Sequence, residues 1–169
     1  VPRASVSFEQ TFFAWSIMNL ARLTRCLVLA AVLGAPAIAA AQAPVKVEVW
    51  KTPTCGCCED WVKHMRENGF EVVTHDVDDT GPIRRNAGMA NYGSCHTAMV
   101  EGYAVEGHVP ASDVRRLLLE KPDAAGISAP GMPLGSPGMD GPEYGGRKTP
   151  HDVVLVDKRG GAKVFQAYR

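Results

Sequence analysis

The sequence predicts an α/β domain with a mixed central sheet flanked by helices. Strand-type alternation and helix-type spacing succeed one another in the order strand–helix–strand–helix–strand–strand–helix–strand–strand. The chain is 169 residues long with 46% apolar side chains. That is enough to bury a real core and too apolar for a disordered segment. No composition shift follows Ala43, so one domain is expected from there onward.

Val45, Val47 and Val49 alternate with Lys46 and Glu48, which predicts a strand from Val45 to Trp50. Lys51-Thr-Pro-Thr is a loop. Cys58, Val62 and Met65 then fall at i, i+4 and i+7, so a helix is expected from Cys58 to Asn68 with Gly69 as its stop. Phe70 to Val77 reads as a second strand and Pro82 to Met89 as a short helix. Thr97 to Val100 and Tyr103 to Val105 make two short strands around Glu101-Gly102. Pro110-Ala-Ser-Asp opens a helix over Val114 to Leu119, with Ser112 or Asp113 as its expected cap. Ala129 to Gly146 is rich in Gly and Pro and is expected to hold no regular structure. Val153 to Val156 and Lys163 to Tyr168 form a closing hairpin across Lys158-Arg-Gly-Gly. Met65 and Met99 are expected in the core.

Ahead of this domain, the segment from Met18 has the composition of a secretory signal. Arg22 and Arg25 precede an apolar run from Cys26 to Leu33, and Ala39, Ala40 and Ala41 supply small residues of the cleavage type. Gly34 and Pro36 interrupt the run, which is short against the about 20 residues of a membrane span. Residues 18–41 are therefore expected to be a cleaved signal peptide that carries the mature domain, 42–169, to the periplasm without a membrane anchor. Residues 1–17 are expected to be upstream translation with no fold. Removing 1–41 takes Arg3, Arg22, Arg25 and Glu9 from totals of 18 basic and 18 acidic side chains, leaving 15 and 17. A net charge of −2 offers no basis for nucleic-acid binding.

Four of the five cysteines lie beyond residue 41: Cys55, Cys57, Cys58 and Cys95. Outside the reducing cytosol an unprotected thiol oxidises or is capped by metal. Cys55-Gly56-Cys57-Cys58 sits between a predicted strand and a predicted helix. Cys55 and Cys58 have the C-x-x-C spacing of thioredoxin-like redox sites, where the helix's amino end favours thiolate. Cys57 is one thiol more than a disulfide exchanger needs. Three thiols in four residues can converge on a soft cation such as Cu(I), zinc or an iron–sulfur centre. The bland alternative is a structural disulfide with one thiol left over.

Further soft donors lie elsewhere. Ser94-Cys95-His96-Thr97 leads into the third strand and pairs a thiol with an imidazole. His96 or Thr97 stands where thioredoxin-like redox enzymes carry a cis-proline, which favours ligation over docking of a substrate peptide. Met132 and Met139 lie in a repeated Pro-Gly-Met within P-G-M-P-L-G-S-P-G-M. A thioether binds Cu(I) and cannot form a disulfide, although methionines also fill gaps in a core. His108, in a turn before a helix, is a ligand candidate. His64 reads as a solvated helix residue and a weak ligand, and His75 and His151 as strand-edge residues. No Ser/His/Asp triad, phosphate loop or paired-carboxylate site is present in the sequence.

T-P-T-C-G-C-C-E-D-W, S-C-H-T-A-M-V, V-E-G-H-V-P-A and P-G-M-P-L-G-S-P-G-M, in that order, resemble the CopG-like family of bacterial periplasmic copper proteins. The resemblance covers about Val45 to Arg169. It implies a thioredoxin-like fold, a role in copper resistance, and a multi-copper cluster with Cu(I)/Cu(II) redox activity. Carried over by motif, Cys55, Cys57 and Cys58 are copper thiolates, Cys95 and His96 face them, and His108 and Met132 complete or cap the site. Copper ions are the implied partner, with periplasmic copper-resistance or copper-efflux proteins as further ones. Three functions stay open at this point. The first is copper binding, the second thiol–disulfide exchange at Cys55 and Cys58, and the third a zinc-stabilised binding module.

Overall fold

The computed structural model describes residues 43–169. The expected signal peptide, the segment 1–17 and Cys26 lie outside the described residues. Seven strands and three helices follow in the order β1 (Val45–Lys51), α1 (Gly56–Glu67), β2 (Phe70–Asp76), α2 (Gly81–Asn86), β3 (Thr97–Val100), β4 (Tyr103–Gly107), α3 (Ala111–Glu120), β5 (Gly126–Ala129), β6 (His151–Val156) and β7 (Ala162–Tyr168). They form one mixed sheet with strand order β2-β1-β3-β4-β5-β6-β7. The β1–β2 and β4–β5 pairs are parallel and the other four antiparallel. Both parallel pairs are joined through a helix, as parallel crossovers require. Among the described residues no helix is long and apolar enough to cross a membrane.

The strand period of two divides the sheet into two faces. Val47, Val49, Ala98, Val105, Val153 and Leu155 face α1 and α3 in the main core, beside Trp61, Val62, Met65, Val114 and Leu117. Ala104 and Val156 point to the opposite face, where Met89 completes a smaller cluster. Met65 is core, as its helical spacing requires. Met99 is not: it packs half-buried on the smaller cluster, because that face has too little helix to cover it.

α1 starts at Gly56, two residues earlier than its apolar spacing predicts, and Cys55 is its N-cap. It stops where expected, with Gly69 at φ 77° donating its N–H to Arg66 O. α3 starts at Ala111, so Ser112 and Asp113 lie inside the first turn and neither caps it; Pro110 holds the cap position. The buried N–H of Ala111, which has no partner within the helix, donates instead to His64 Nε2 of α1, at 3.1 Å. A side chain distant in sequence does the work expected of a local one. Asp113 accepts a hydrogen bond from Tyr168 Oη of β7 at 2.8 Å.

β5 is absent from the sequence prediction. Its four residues, Gly126-Ile-Ser-Ala129, are all buried, and a strand covered on both faces shows no alternation to read. The stretch from Pro130 contains one 3-10 turn, Pro142–Tyr144, where no regular structure is expected. Gly126 lies hard against β4: a Cβ there would come within 1.9 Å of Ala104 O and 2.7 Å of Ala104 N. Gly126→Ala must therefore push β5 off β4. It is expected to cost about 1–3 kcal/mol, read as a lower denaturant midpoint; an unchanged midpoint would show that β5 moves freely.

Candidate metal centre

The cysteine loop begins where β1 leaves the sheet. Lys51, 2% exposed, closes β1 with its ammonium between Asp76 of β2 at 2.7 Å and Glu59 of α1 at 2.6 Å. This tie across two strands and a helix fixes the angle at which the loop meets α1. Cys55 N donates to Thr52 O, and Glu59 N to Cys55 O, at 3.2 Å each. Cys57 and Cys58 therefore occupy the first turn of α1, at the positive end of its dipole.

Cys55 and Cys58 are joined by a disulfide. Cys57 and Cys95 are free thiols. Cys57 Sγ lies 3.6 Å from Cys55 Sγ and 3.9 Å from Cys95 Sγ. Burial, reinforced by the neighbouring Cys95, pushes the Cys57 thiol up to about 11, so a metal binding there must displace a proton. The four sulfurs lie within 4.8 Å of one another.

Cys95 also belongs to a second group. Its sulfur is 3.0 Å from His108 Nε2, and the donor atoms of Cys95, His96 and His108 again lie within 4.8 Å of one another. His108 is fully buried. Its Nδ1 lies 2.9 Å from Pro137 O, and a carbonyl only accepts, so Nδ1 carries the proton and Nε2 presents its lone pair to the sulfurs. Burial holds the His108 pKa below the usual imidazole range.

His96 is 0% exposed. It packs against the Trp61 ring, centroids 4.4 Å apart, and edge-on to His108 at 5.2 Å. Neither ring nitrogen of His96 has a hydrogen-bond partner. Burial, with the nearby His108 imidazole, lowers its pKa to about 3, so the ring is neutral at physiological pH. An unpaired buried polar group of this kind costs about 1–3 kcal/mol. A soft cation bound beside Cys95 would supply the partner the protein does not. Sulfurs and neutral imidazoles suit Cu(I) and zinc, and the donor set holds no hard carboxylate.

Of the expected ligands, the fold thus brings Cys55, Cys57, Cys58 and Cys95 together, and His96 and His108 with Cys95. The two Pro-Gly-Met copies part company. Met132 is 51% exposed, whereas Met139 is buried. Gly138, at φ 81°, lets the second copy lie on α1, since a Cβ there would meet Cys57 O at 2.4 Å. That contact sets the Pro137 carbonyl on His108. His64 departs from the solvated role read for it: it is half-buried and accepts from Ala111 N. His75 stacks on Trp50 and His151 on Tyr168, and neither joins the two donor groups.

The sequence reading missed Glu106 and Arg84. Glu106 is 0% exposed and lies two residues before His108, in a strand whose neighbours are apolar. A carboxylate in that pattern was the available signal.

A family model described as a protein of unknown function, DUF411, matches residues 92–139. Two solved structures named copper resistance protein copG resemble this chain. Form 2 is 41% identical, covers 75% of this chain and 99% of its own, and superposes with a TM-score of 0.69. Form 1 is 41% identical, covers 74% and 98%, and superposes at 0.68. No curated protein matches.

Proposed function

This chain belongs to the CopG-like family of copper resistance proteins, and we propose that it holds Cu(I) as cargo on Cys57 and Cys95, on Cys55 and Cys58 once reduced, and on His96 and His108. The observation that carries this function is His96: a fully buried imidazole with both nitrogens unpaired, set beside Cys95, which is itself one of four clustered sulfurs. Thiolates favour soft cations such as Cu(I) and zinc, the similarity to copper resistance proteins favours copper between them, and the mixture of sulfur and nitrogen donors also suits exchange between Cu(I) and Cu(II). The half-exposed Met132 is the proposed thioether cap. Residues 18–41 act in this proposal as the cleaved signal that delivers the domain to the periplasm, to meet copper-resistance or copper-efflux proteins. A thioredoxin-like description is supported by the order β1–α1–β2–α2–β3–β4–α3 and the strand order β2-β1-β3-β4.

The test is a titration of anaerobically reduced protein with Cu(I) against a competing chelator. More than one tightly held ion is expected, and fewer in the disulfide form, which lacks two of the donors. Cys57→Ser is expected to lower the stoichiometry without moving the unfolding midpoint of the metal-free protein. A reduced protein that leaves Cu(I) with the chelator overturns the proposal.

The Cys55–Cys58 disulfide at the amino end of α1 favours one other function, thiol–disulfide exchange. An exchanger uses those two sulfurs alone, so Cys57→Ser and His96→Ala would leave its disulfide-reductase rate intact. Copper binding predicts that both variants lose metal.

A further inference from the structure

We infer that Glu106, with Arg84, is a positioning residue for the metal centre: one buried carboxylate grips both sides of Cys95-His96 and sets where their donor atoms stand. This rests on the copper function proposed above and assigns a part of it to residues that hold no metal. Glu106 Oε1 accepts from Ser94 N at 2.7 Å, and Oε2 accepts from Thr97 Oγ1 at 2.6 Å. Ser94 and Thr97 are the residues immediately before and after the Cys95-His96 pair. A two-residue span tied at both ends to a single rigid group has little freedom left.

The rest of the surroundings tightens the same grip. Arg84 of α2 donates from Nε to Glu106 Oε1 at 2.7 Å, and from its second nitrogen to Ser94 O and to Thr80 Oγ1. Gly107 N donates to His96 O at 3.0 Å. Gly107 has φ 73°, and a Cβ on it would lie 2.4 Å from Ser94 Oγ and 2.9 Å from Ala129 O, so the loop and β4 meet at a distance only glycine permits. One residue further on is His108. Glu106 therefore sits between the two halves of the Cys95–His96–His108 group and ties one to the other.

Stability by itself gives little reason for this pair. A buried ion pair is generally no better for folding than apolar side chains of the same volume, whereas groups that orient a metal's ligands commonly govern affinity by about 10–100-fold. A carboxylate that binds a backbone N–H on one side of the ligands and a hydroxyl on the other suits the second role.

The experiment measures Cu(I) affinity of the reduced full chain by chelator competition, in the parent and in a Cys95→Ala background. Glu106→Ala is expected to weaken binding about 10–100-fold with Cys95 present and by a clearly smaller factor with Cys95 absent, where His96 is the one donor of the pair left to misplace. Glu106→Gln keeps an acceptor oxygen for Ser94 N and is expected to regain most of the loss. In the metal-free protein, hydrogen exchange should quicken in residues 93–97 and stay unchanged in β6 and β7. Should Glu106→Ala fail to fold, Arg84→Met makes the same comparison from the partly exposed side of the pair. Equal losses in the two backgrounds, no recovery with Gln, or exchange unaltered in 93–97 overturns the inference. A parent that takes up no Cu(I) overturns the copper function, and a parent that binds tightly beside an equally tight Glu106→Ala overturns this inference alone.

Discussion

Cys95→Ser is expected to lower Cu(I) affinity by more than about 100-fold, the largest loss of any single cysteine replacement. Removing a partner that only orients a ligand already costs about 10–100-fold, and Cys95 is a proposed donor that belongs to both groups. Its sulfur lies 3.9 Å from Cys57 Sγ and 3.0 Å from His108 Nε2, so it joins the thiol cluster to the imidazoles. A serine hydroxyl is nearly isosteric but hard, and does not replace a thiolate for Cu(I). Cys57 and Cys58 belong to the sulfur group alone, and their serine variants should keep the Cys95–His96–His108 donors. Competition titration measures the ranking, and absorption at the copper edge should show nitrogen scattering fall with sulfur in Cys95→Ser. A Cys95→Ser protein that binds as Cys57→Ser does would show that the two groups work independently.

Trp61→Ala should destabilise the fold by about 3–5 kcal/mol, more than Gly126→Ala. Trp61 is fully buried in the main core. Its ring packs on His96, and its Nε1–H donates to Val109 O at 2.8 Å. Truncation to alanine opens a cavity beneath α1, leaves the Val109 carbonyl unpaired, and frees the wall that holds His96. Trp61→Phe separates the effects: it keeps most of the packing and loses the donor, for a cost of about 1–3 kcal/mol. Val109 follows His108, so the Phe variant should also loosen the imidazole that faces Cys95. Urea unfolding of the metal-free protein gives both values. A cost below about 1 kcal/mol for Trp61→Ala would mean that the core closes over the gap.

Much of the fold was legible because it depends on spacing along the chain. The alternation at Val45–Val49 marked β1, the Cys58–Val62–Met65 stripe marked α1, and Gly69 marked its end. The third strand, Thr97–Val100, has the predicted limits. Other features left no such trace. β5 is four residues buried on both faces, so its pattern carries no period. The start of α3 depends on His64, 47 positions away, and no local cap residue announces it. The Pro-Gly-Met repeat drew attention to its sulfurs, yet what its second copy brings to His108 is the carbonyl of Pro137.

The amino-acid sequence by itself determined the chemistry on offer: clustered thiols at a strand–helix junction, a thiol beside an imidazole, and a further imidazole before α3. These are covalent and local facts, settled by residue type and by periods of two and 3.6. Tertiary structure alone decided which of those groups meet and in what state. It aimed the lone pair of His108 at Cys95, left both ring nitrogens of His96 without a hydrogen-bond partner, and tied Ser94 and Thr97 to Glu106. Each of these depends on desolvation and on distances between segments far apart in the chain, which residue order does not encode until the sheet has set.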